Sequence, residues 1–276
     1  MRVFRFVKSI AISGISSTDG DSSRQRPRSR KRRTQRARED LCSPQCPASS
    51  VRTILVLGNG TWGRADIIQN LAKQADFVVA ANGGWAKATA MGIPIDLVIG
   101  DLDSLNVKEH KELEKVKTKV VRYPQEKDET DFEIALKHAL SLNPKRVILW
   151  GITGERLDHS LANIFLLEKA ARKDVGIEIV TETEHAYLVA KRLDLHGVKP
   201  GDTVSLLPIS SQASEIRTQG LKYPLNGETL NRASSRGISN EAISPHVSIE
   251  LARGVLLVAH QQSRQRVEGN CETHPN

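Results

Sequence analysis

The sequence predicts an α/β fold in which a parallel sheet covered by helices is followed by a smaller all-β domain. Three observations lead there. From residue 53, short β-rich apolar runs alternate with amphipathic stretches. The runs are apolar at nearly every position, as strands buried on both faces require. After about residue 183 the amphipathic stretches stop, while strand-like runs continue between Gly, Pro and Asn turns.

In order, the first-domain strands are TILVLG (53–58), DFVVAAN (76–82), DLVIGD (96–101), KVVRYP (119–124), RVILWG (146–151) and IEIVTE (177–182). Each is short and rich in Val, Ile or Leu, the residues that suit a pleated, buried surface. The segments near 64–74, 85–91, 107–116, 129–141 and 157–172 read as helices. Strand-helix alternation implies parallel pairing, because a parallel return needs a crossover of about a dozen residues or more. The later runs HAYLVAKRLDLHG, DTVSLLPIS, SEIRTQGLKYPL and HVSIELARGVLLVAHQ have no helix between them and read as antiparallel strands. The expected organisation is a basic Ser/Arg-rich extension (1–50), an α/β domain (51–182), an all-β domain (183–262) and a flexible end (263–276).

The 276 residues carry a formal net charge of +8, but residues 1–50 hold 12 Lys and Arg against 4 Asp and Glu, leaving 28 of each sign in the rest. The surplus lies in RQRPRSRKRRTQRARED (24–40), which has little apolar periodicity to bury and is expected to be disordered. It reads as a plain extension or an upstream start; a polyanion-binding tail and an Arg- and Ser-rich targeting peptide are the competing readings. The neutral body argues against nucleic acid as its partner. No window reaches the roughly 18 apolar residues of a membrane span, so a cytoplasmic protein is expected. Cys42, Cys46 and Cys271 make neither a disulfide framework nor a zinc site.

Ligands of parallel α/β sheets bind at the carboxyl ends of the strands, so the loops there carry the chemistry. Gly58-Asn59-Gly60-Thr61-Trp62-Gly63 matches G-x-G-x-x-G formally, but Asn82 stands where a ribose-binding acid would close the second strand, and the loop reads as a bare turn. Asn82-Gly83-Gly84 opens a helix and could admit phosphate oxygens to backbone N–H groups. Asp101 and Asp103, two apart, place two carboxylates side by side; they are either solvated loop and cap residues or ligands of a hard divalent cation such as Mg, shared with phosphates. In Glu126-Lys127-Asp128-Glu129-Thr130-Asp131, Asp128 reads as a helix N-cap and Lys127 as a cation for phosphate. Gly151, Gly154, Arg156 and Asp158 suit a polyphosphate again, and His159 reads as a packing or supporting histidine.

Together, NGG (82–84), GDLDSL (100–105), EKDETDFEIAL (126–136), GITGERLDHSLANI (151–164), GLKYPL (220–225) and SRGISNE (235–241), in this order and at these spacings, resemble the thiamine pyrophosphokinase family across residues 53–262. The resemblance implies a nucleotide-binding α/β domain followed by a β-sandwich, a homodimer with its active site at the subunit interface, and transfer of a diphosphate from ATP to the hydroxyl of thiamine with release of AMP. It implies Asp101 and Asp103 as Mg-binding aspartates, Asp131 and Asp158 as further acidic site positions, and Ser239 and Asn240 near thiamine. Beside it, Asp131 is expected to join the Mg site and Asn82, Gly83, Gly84, Lys127, Thr130, Gly151, Gly154 and Arg156 to meet ATP. Asp128 is the expected base if one is needed, and Tyr223 is expected to stack on the acceptor ring or pack in the core. Three residues depart from the family pattern: Asn82 for Asp, Glu155 for a small residue, and Tyr223 for Trp. The alternatives are another acceptor alcohol such as a pterin, a haloacid-dehalogenase-type phosphatase with Asp101 as nucleophile, and a nucleotide-sensing or nucleic-acid-binding module using the basic tail.

Overall fold

The computed structural model describes residues 52–263 except 104, 117 and 172–174. The basic extension, the three cysteines and the chain after residue 263 lie outside the described residues. The first part runs β1 (Thr53–Leu57), α1 (Ala65–Gln74), β2 (Phe77–Ala81), α2 (Gly84–Ala90), β3 (Leu97–Gly100), α3 (Val107–Lys115), β4 (Lys119–Arg122), α4 (Asp131–Ser141), β5 (Arg146–Trp150), α5 (Leu157–Ala170) and β6 (Gly176–Val180). The second adds β7 (Glu184–Val189), β8 (Arg192–His196), β9 (Thr203–Pro208), β10 (Gln212–Gln219), β11 (Asn226–Asn231), β12 (Asn240–Glu241), β13 (His246–Glu250) and β14 (Leu256–Gln261).

β1 to β6 form the expected parallel array, ordered β6-β5-β1-β2-β3-β4. Its strands divide their side chains between two cores. Ile54, Val56, Val147 and Leu149 enter one with Phe132, Leu136 and Leu167 of α4 and α5. Leu55, Leu57, Ile148 and Trp150 enter the other with Ile68, Trp85 and Leu113 of α1 to α3. This two-sided burial is why the strands read as unbroken apolar runs, and each such side chain taken from water stabilises the fold by about 1.5–3 kcal/mol.

The sheet does not stop at β6. Residues 181–183 are too few for a parallel crossover, and Thr181 closes the link as a tight turn, its N–H donating to Glu184 O at 2.9 Å and its Oγ1 accepting from Glu184 N at 3.0 Å. β7 therefore returns antiparallel on β6, with Ile179 facing Ala186. β14, β9 and β12 extend the same sheet to ten strands. A separate sheet, β11-β10-β13-β8, packs on this extension through Val204, Leu206, Leu256 and Val258 from one side and Ala213, Ile216, Val247 and Ile249 from the other. That pair of sheets is the sandwich. Across the turn, Arg146 grips Glu178 with two 2.7 Å bonds, and Glu178 meets His185 Nε2 at 2.8 Å. Among the described residues, no helix is long and apolar enough to cross a membrane.

Candidate functional site

The loops after β1, β2, β3, β4 and β5 meet around a cavity of about 720 Å³. Two of them are joined backbone to backbone: Gly58 N donates to Trp150 O (2.8 Å), Gly60 N to Gly151 O (2.6 Å) and Thr61 N to Thr153 O (2.7 Å). A side chain on Gly60 would fall on the Thr153 carbonyl, so only glycine allows this contact. The 58–61 loop is thus part of the cavity wall, not the bare turn that its missing ribose acid suggested. Lys87, one turn into α2, binds it with 2.9 and 2.6 Å bonds to Asn59 O and Gly60 O. Burial holds the Lys87 ammonium below its ordinary pKa, with the Glu155 charge opposing.

Asp101 and Asp103 converge, but not as alternate residues of a strand. β3 ends at Gly100, and the buried Leu102 takes a left-handed φ of 64° that turns the chain between them. Asp103 N donates to Asp101 Oδ1 at 3.1 Å. The Asn82 side-chain nitrogen then reaches Asp101 Oδ1 (3.0 Å), Asp103 Oδ1 (3.0 Å) and Asp131 Oδ2 (2.8 Å). Lys127 Nζ lies 3.0 Å from Asp101 Oδ2 and 2.9 Å from Asp131 Oδ1, with side-chain exposures of only 12, 11 and 16 % for Lys127, Asp101 and Asp131. Burial works against the charge on Asp101, but hydrogen bonds from Lys127 and Asp103 outweigh it and hold the carboxyl below its usual range. Burial likewise lowers the Lys127 pKa, and the hydrogen bonds to Asp131 and Asp101 more than reverse this. Both partners stay charged at neutral pH.

The helix starts nearby correct two expectations. Thr130, not Asp128, caps α4, its side chain accepting from Glu133 N at 3.1 Å. Neither Asp101 nor Asp103 caps α3; Asn106 does, in a capping box with Glu109.

Asn82, Asp101, Lys127, Thr130, Asp131, Gly151, Gly154 and Arg156 line the cavity, and His159 joins them; Asp103 touches the cluster from its rim. Gly83, Gly84, Asp128 and Asp158 are not among the lining residues. Asp158 is exposed and bound by Arg156 at 2.6 Å, a hydrogen bond that lowers its pKa to about 2. Lys87 and Thr153 are cavity residues to which the sequence reading gave no role, and Asn59 and Gly60 are ones it read as a bare turn.

A second cavity, of about 240 Å³, lies in the all-β part between Leu206, Tyr223, Leu225, Arg236, Ile238 and Asn240. Tyr223 is 64 % exposed, which removes core packing as its role. Its backbone is pinned by Asn240, whose Oδ1 accepts from Tyr223 N (3.1 Å) and whose Nδ2 donates to Tyr223 O (2.8 Å). Ser239 does not line this cavity; its N–H donates to Ser205 Oγ at 2.9 Å.

Such a pair of cavities, one built of charges and glycine loops and one of apolar and aromatic groups with Ser235, Arg236 and Asn240 among them, suits a phosphate donor and an organic acceptor. The family model described as the catalytic domain of thiamin pyrophosphokinase matches residues 68–180, and that described as its vitamin B1 binding domain matches residues 189–256. The chain is 33 % identical over 167 residues to a thiamine pyrophosphokinase of Bacillus subtilis (strain 168), covering 60 % of this chain and 78 % of the relative. Among solved structures, thiamine pyrophosphokinase from Bacillus subtilis superposes with a TM-score of 0.67 at 27 % identity, over 77 % of this chain and 100 % of the other. The enzyme from Geobacillus thermodenitrificans gives 0.66 at 26 %, over 77 and 99 %. The enzyme from Candida albicans, at 16 % identity, shares the fold with a TM-score of 0.66 over 77 and 90 %.

Proposed function

The chain belongs to the thiamin pyrophosphokinase family, and on that premise we propose that the cavity at the strand ends is where ATP gives up a diphosphate to thiamine. The activity is that of a thiamine diphosphokinase. The thiamine hydroxyl oxygen bonds to the β-phosphorus of ATP, the bond from that phosphorus to its bridge with the α-phosphorus breaks, and AMP leaves with the bridging oxygen. The hydroxyl proton is lost, giving thiamine diphosphate. The observation that carries this reading is the convergence of Asp101, Asp103 and Asp131 with Lys127 inside a glycine-walled cavity.

Transfer of this kind is mostly positioning and charge stabilisation. Lys127 and Arg156 offset phosphate charge, while Thr130, Gly151, Gly154 and Asn82 hold the chain of phosphates, with Gly83 and Gly84 behind them letting the chain turn into α2. Among the described residues, no three or more His, Cys, Asp or Glu form a self-sufficient ion cage. Mg, however, usually takes only one or two carboxylates and shares the rest with phosphates. The residues fit it: Asp101, Asp103 and Asp131 each bring a carboxylate oxygen within 3.0 Å of one point, the Asn82 side-chain nitrogen. Asp101, Asp103 and Asp131 would hold the ion, which when bound neutralises charge on the reacting phosphates. Asp158, held by the cavity residue Arg156, is a further acidic site residue, and Asp128 is the base if one is used.

Tyr223, Ser239 and Asn240 make the thiamine end of the site. The two cavities share no lining residue, and in the homodimeric arrangement that the family resemblance implies, the acceptor pocket of one subunit serves the phosphate cavity of its partner. Leu157, Leu161 and Phe165, spaced four apart along one face of α5, are exposed at 69, 44 and 48 % and supply an apolar face for it. Residues 51–182 are the catalytic domain and 183–262 the thiamine-binding domain of this cytoplasmic enzyme. Incubating purified protein with ATP, Mg and thiamine should yield AMP and thiamine diphosphate in equal amounts. ADP or free phosphate as the main product would overturn the reading.

A further inference from the structure

We propose that the Asn82 side chain is a neutral stand-in for a cation, pinning the acid cluster together when no ion is bound and yielding its place when one enters. The inference rests on the reading of this cavity as the phosphate-transfer site.

An amide NH2 carries two hydrogens, yet the Asn82 nitrogen has three carboxylate oxygens within 3.0 Å, one each from Asp101, Asp103 and Asp131. The orientation is forced, since turning the amide over would point its oxygen at all three. Among the described residues, the full positive charge that meets these acids is Lys127, which pairs with Asp101 and Asp131. Among the described residues, the side-chain donors to Asp103 are neutral: Asn82, and Gln125 at 3.3 Å. Three negative charges facing one positive charge are held at short range partly by one amide dipole. The backbone suits the residue too: Asn82 has a φ of 45°, a left-handed conformation that Asn adopts more readily than most side chains. A small dipole at the focus of three carboxylates gives a cluster that is assembled before the ion arrives, yet open to replacement by a stronger positive charge.

The test measures Mg binding and melting of the full nucleotide-free chain, by calorimetric titration with MgCl2 and by thermal denaturation with and without it, for wild type, Asn82→Asp and Asn82→Gly. Asn82→Asp adds a fourth carboxylate at the focus. It should melt about 3–6 °C lower than wild type without Mg and bind Mg about tenfold tighter or more. Asn82→Gly keeps the left-handed backbone and removes the pin. It should also melt lower without Mg, recover part of the deficit when Mg is added, and bind Mg at least as tightly as wild type. Weaker Mg binding by Asn82→Gly would make Asn82 an ion ligand and overturn the proposal, as would Asn82→Asp melting like wild type in Mg-free buffer. Neither readout involves thiamine. A chain with these Mg responses but no diphosphate transfer would keep the pin and lose the functional reading, and an active chain without them would do the reverse.

Discussion

The cavity at the strand ends and the cavity in the sandwich are made by different rules. The first is assembled from five loops at the ends of parallel strands, with charged groups balanced against one another: Asp101 and Asp131 against Lys127, Arg156 against Asp158, Lys87 against backbone carbonyls. The second is lined by Leu206, Tyr223, Pro224, Leu225 and Ile238 with Ser235, Arg236 and Asn240 as polar members, and Asn240 is occupied in fixing the Tyr223 backbone. Parallel strands all end at one edge, so they deliver many polar loop residues to one place, whereas antiparallel strands leave neighbouring ends at opposite edges. The difference teaches that the end of a parallel array concentrates paired charges, whereas the sandwich leaves a smaller and more apolar hollow.

The sharpest way to break that division is Asp101→Ala. It should leave the fold intact and lower AMP formation from ATP and thiamine by about a hundredfold or more, on the order of 3 kcal/mol in the barrier; survival within about threefold would remove Asp101 from the chemistry. Lys127→Met should cost nearly as much turnover, and by leaving two buried carboxylates uncompensated it should also destabilise the protein by about 3 kcal/mol in urea denaturation. Phe165→Glu puts a charge in the apolar face of α5; sedimentation should show monomers, and activity should fall with the dimer. Tyr223→Ala should raise the KM for thiamine about tenfold, through loss of stacking, and leave the KM for ATP unchanged. A matching change in both constants would erase the distinction between the cavities.

The smallest effect sits between the two regions. Burial disfavours the charge on Glu178, but hydrogen bonds from His185 and Arg146 prevail and hold its pKa at about 2, below the ordinary 4.5. A carboxyl depressed on folding adds stability that is complete above the unfolded value and disappears as acid approaches the folded one. Acid melting should therefore steepen between pH 4.5 and about 2, and Glu178→Gln should flatten that window. An unchanged acid limb in the variant would show that the Arg146–Glu178–His185 network adds nothing to stability.

Much of the first region was legible because two-sided burial writes strands as apolar runs, and because the residues that matter follow them directly: Asp101 after β3, Lys127 and Asp131 after β4. The continuation of the sheet was not. β14 lies between β7 and β9, pairing Val258 with both Tyr187 and Leu206, and no local pattern encodes partners so distant in sequence. Thr130 and Asp128 are both good N-cap types, and the path of the loop, not composition, chose between them. Lys87 reads as an ordinary helix-surface lysine because its partners are carbonyls of a loop more than 25 residues earlier. Asn82 stood out only as an exception to a pattern; its three acceptors come together in space from loops after two different strands.

The unbroken ten-stranded sheet has a mechanical consequence. Many kinases shut out water by swinging one lobe over the other about a flexible joint. Here the junction is a ladder, with β6 paired to β5 on one side and β7 on the other, and bending it would tear backbone bonds. Dryness at the moment of transfer then has to come from elsewhere, and in the homodimer proposed above it would come from the mating of two preformed surfaces, an act of assembly more than of closure.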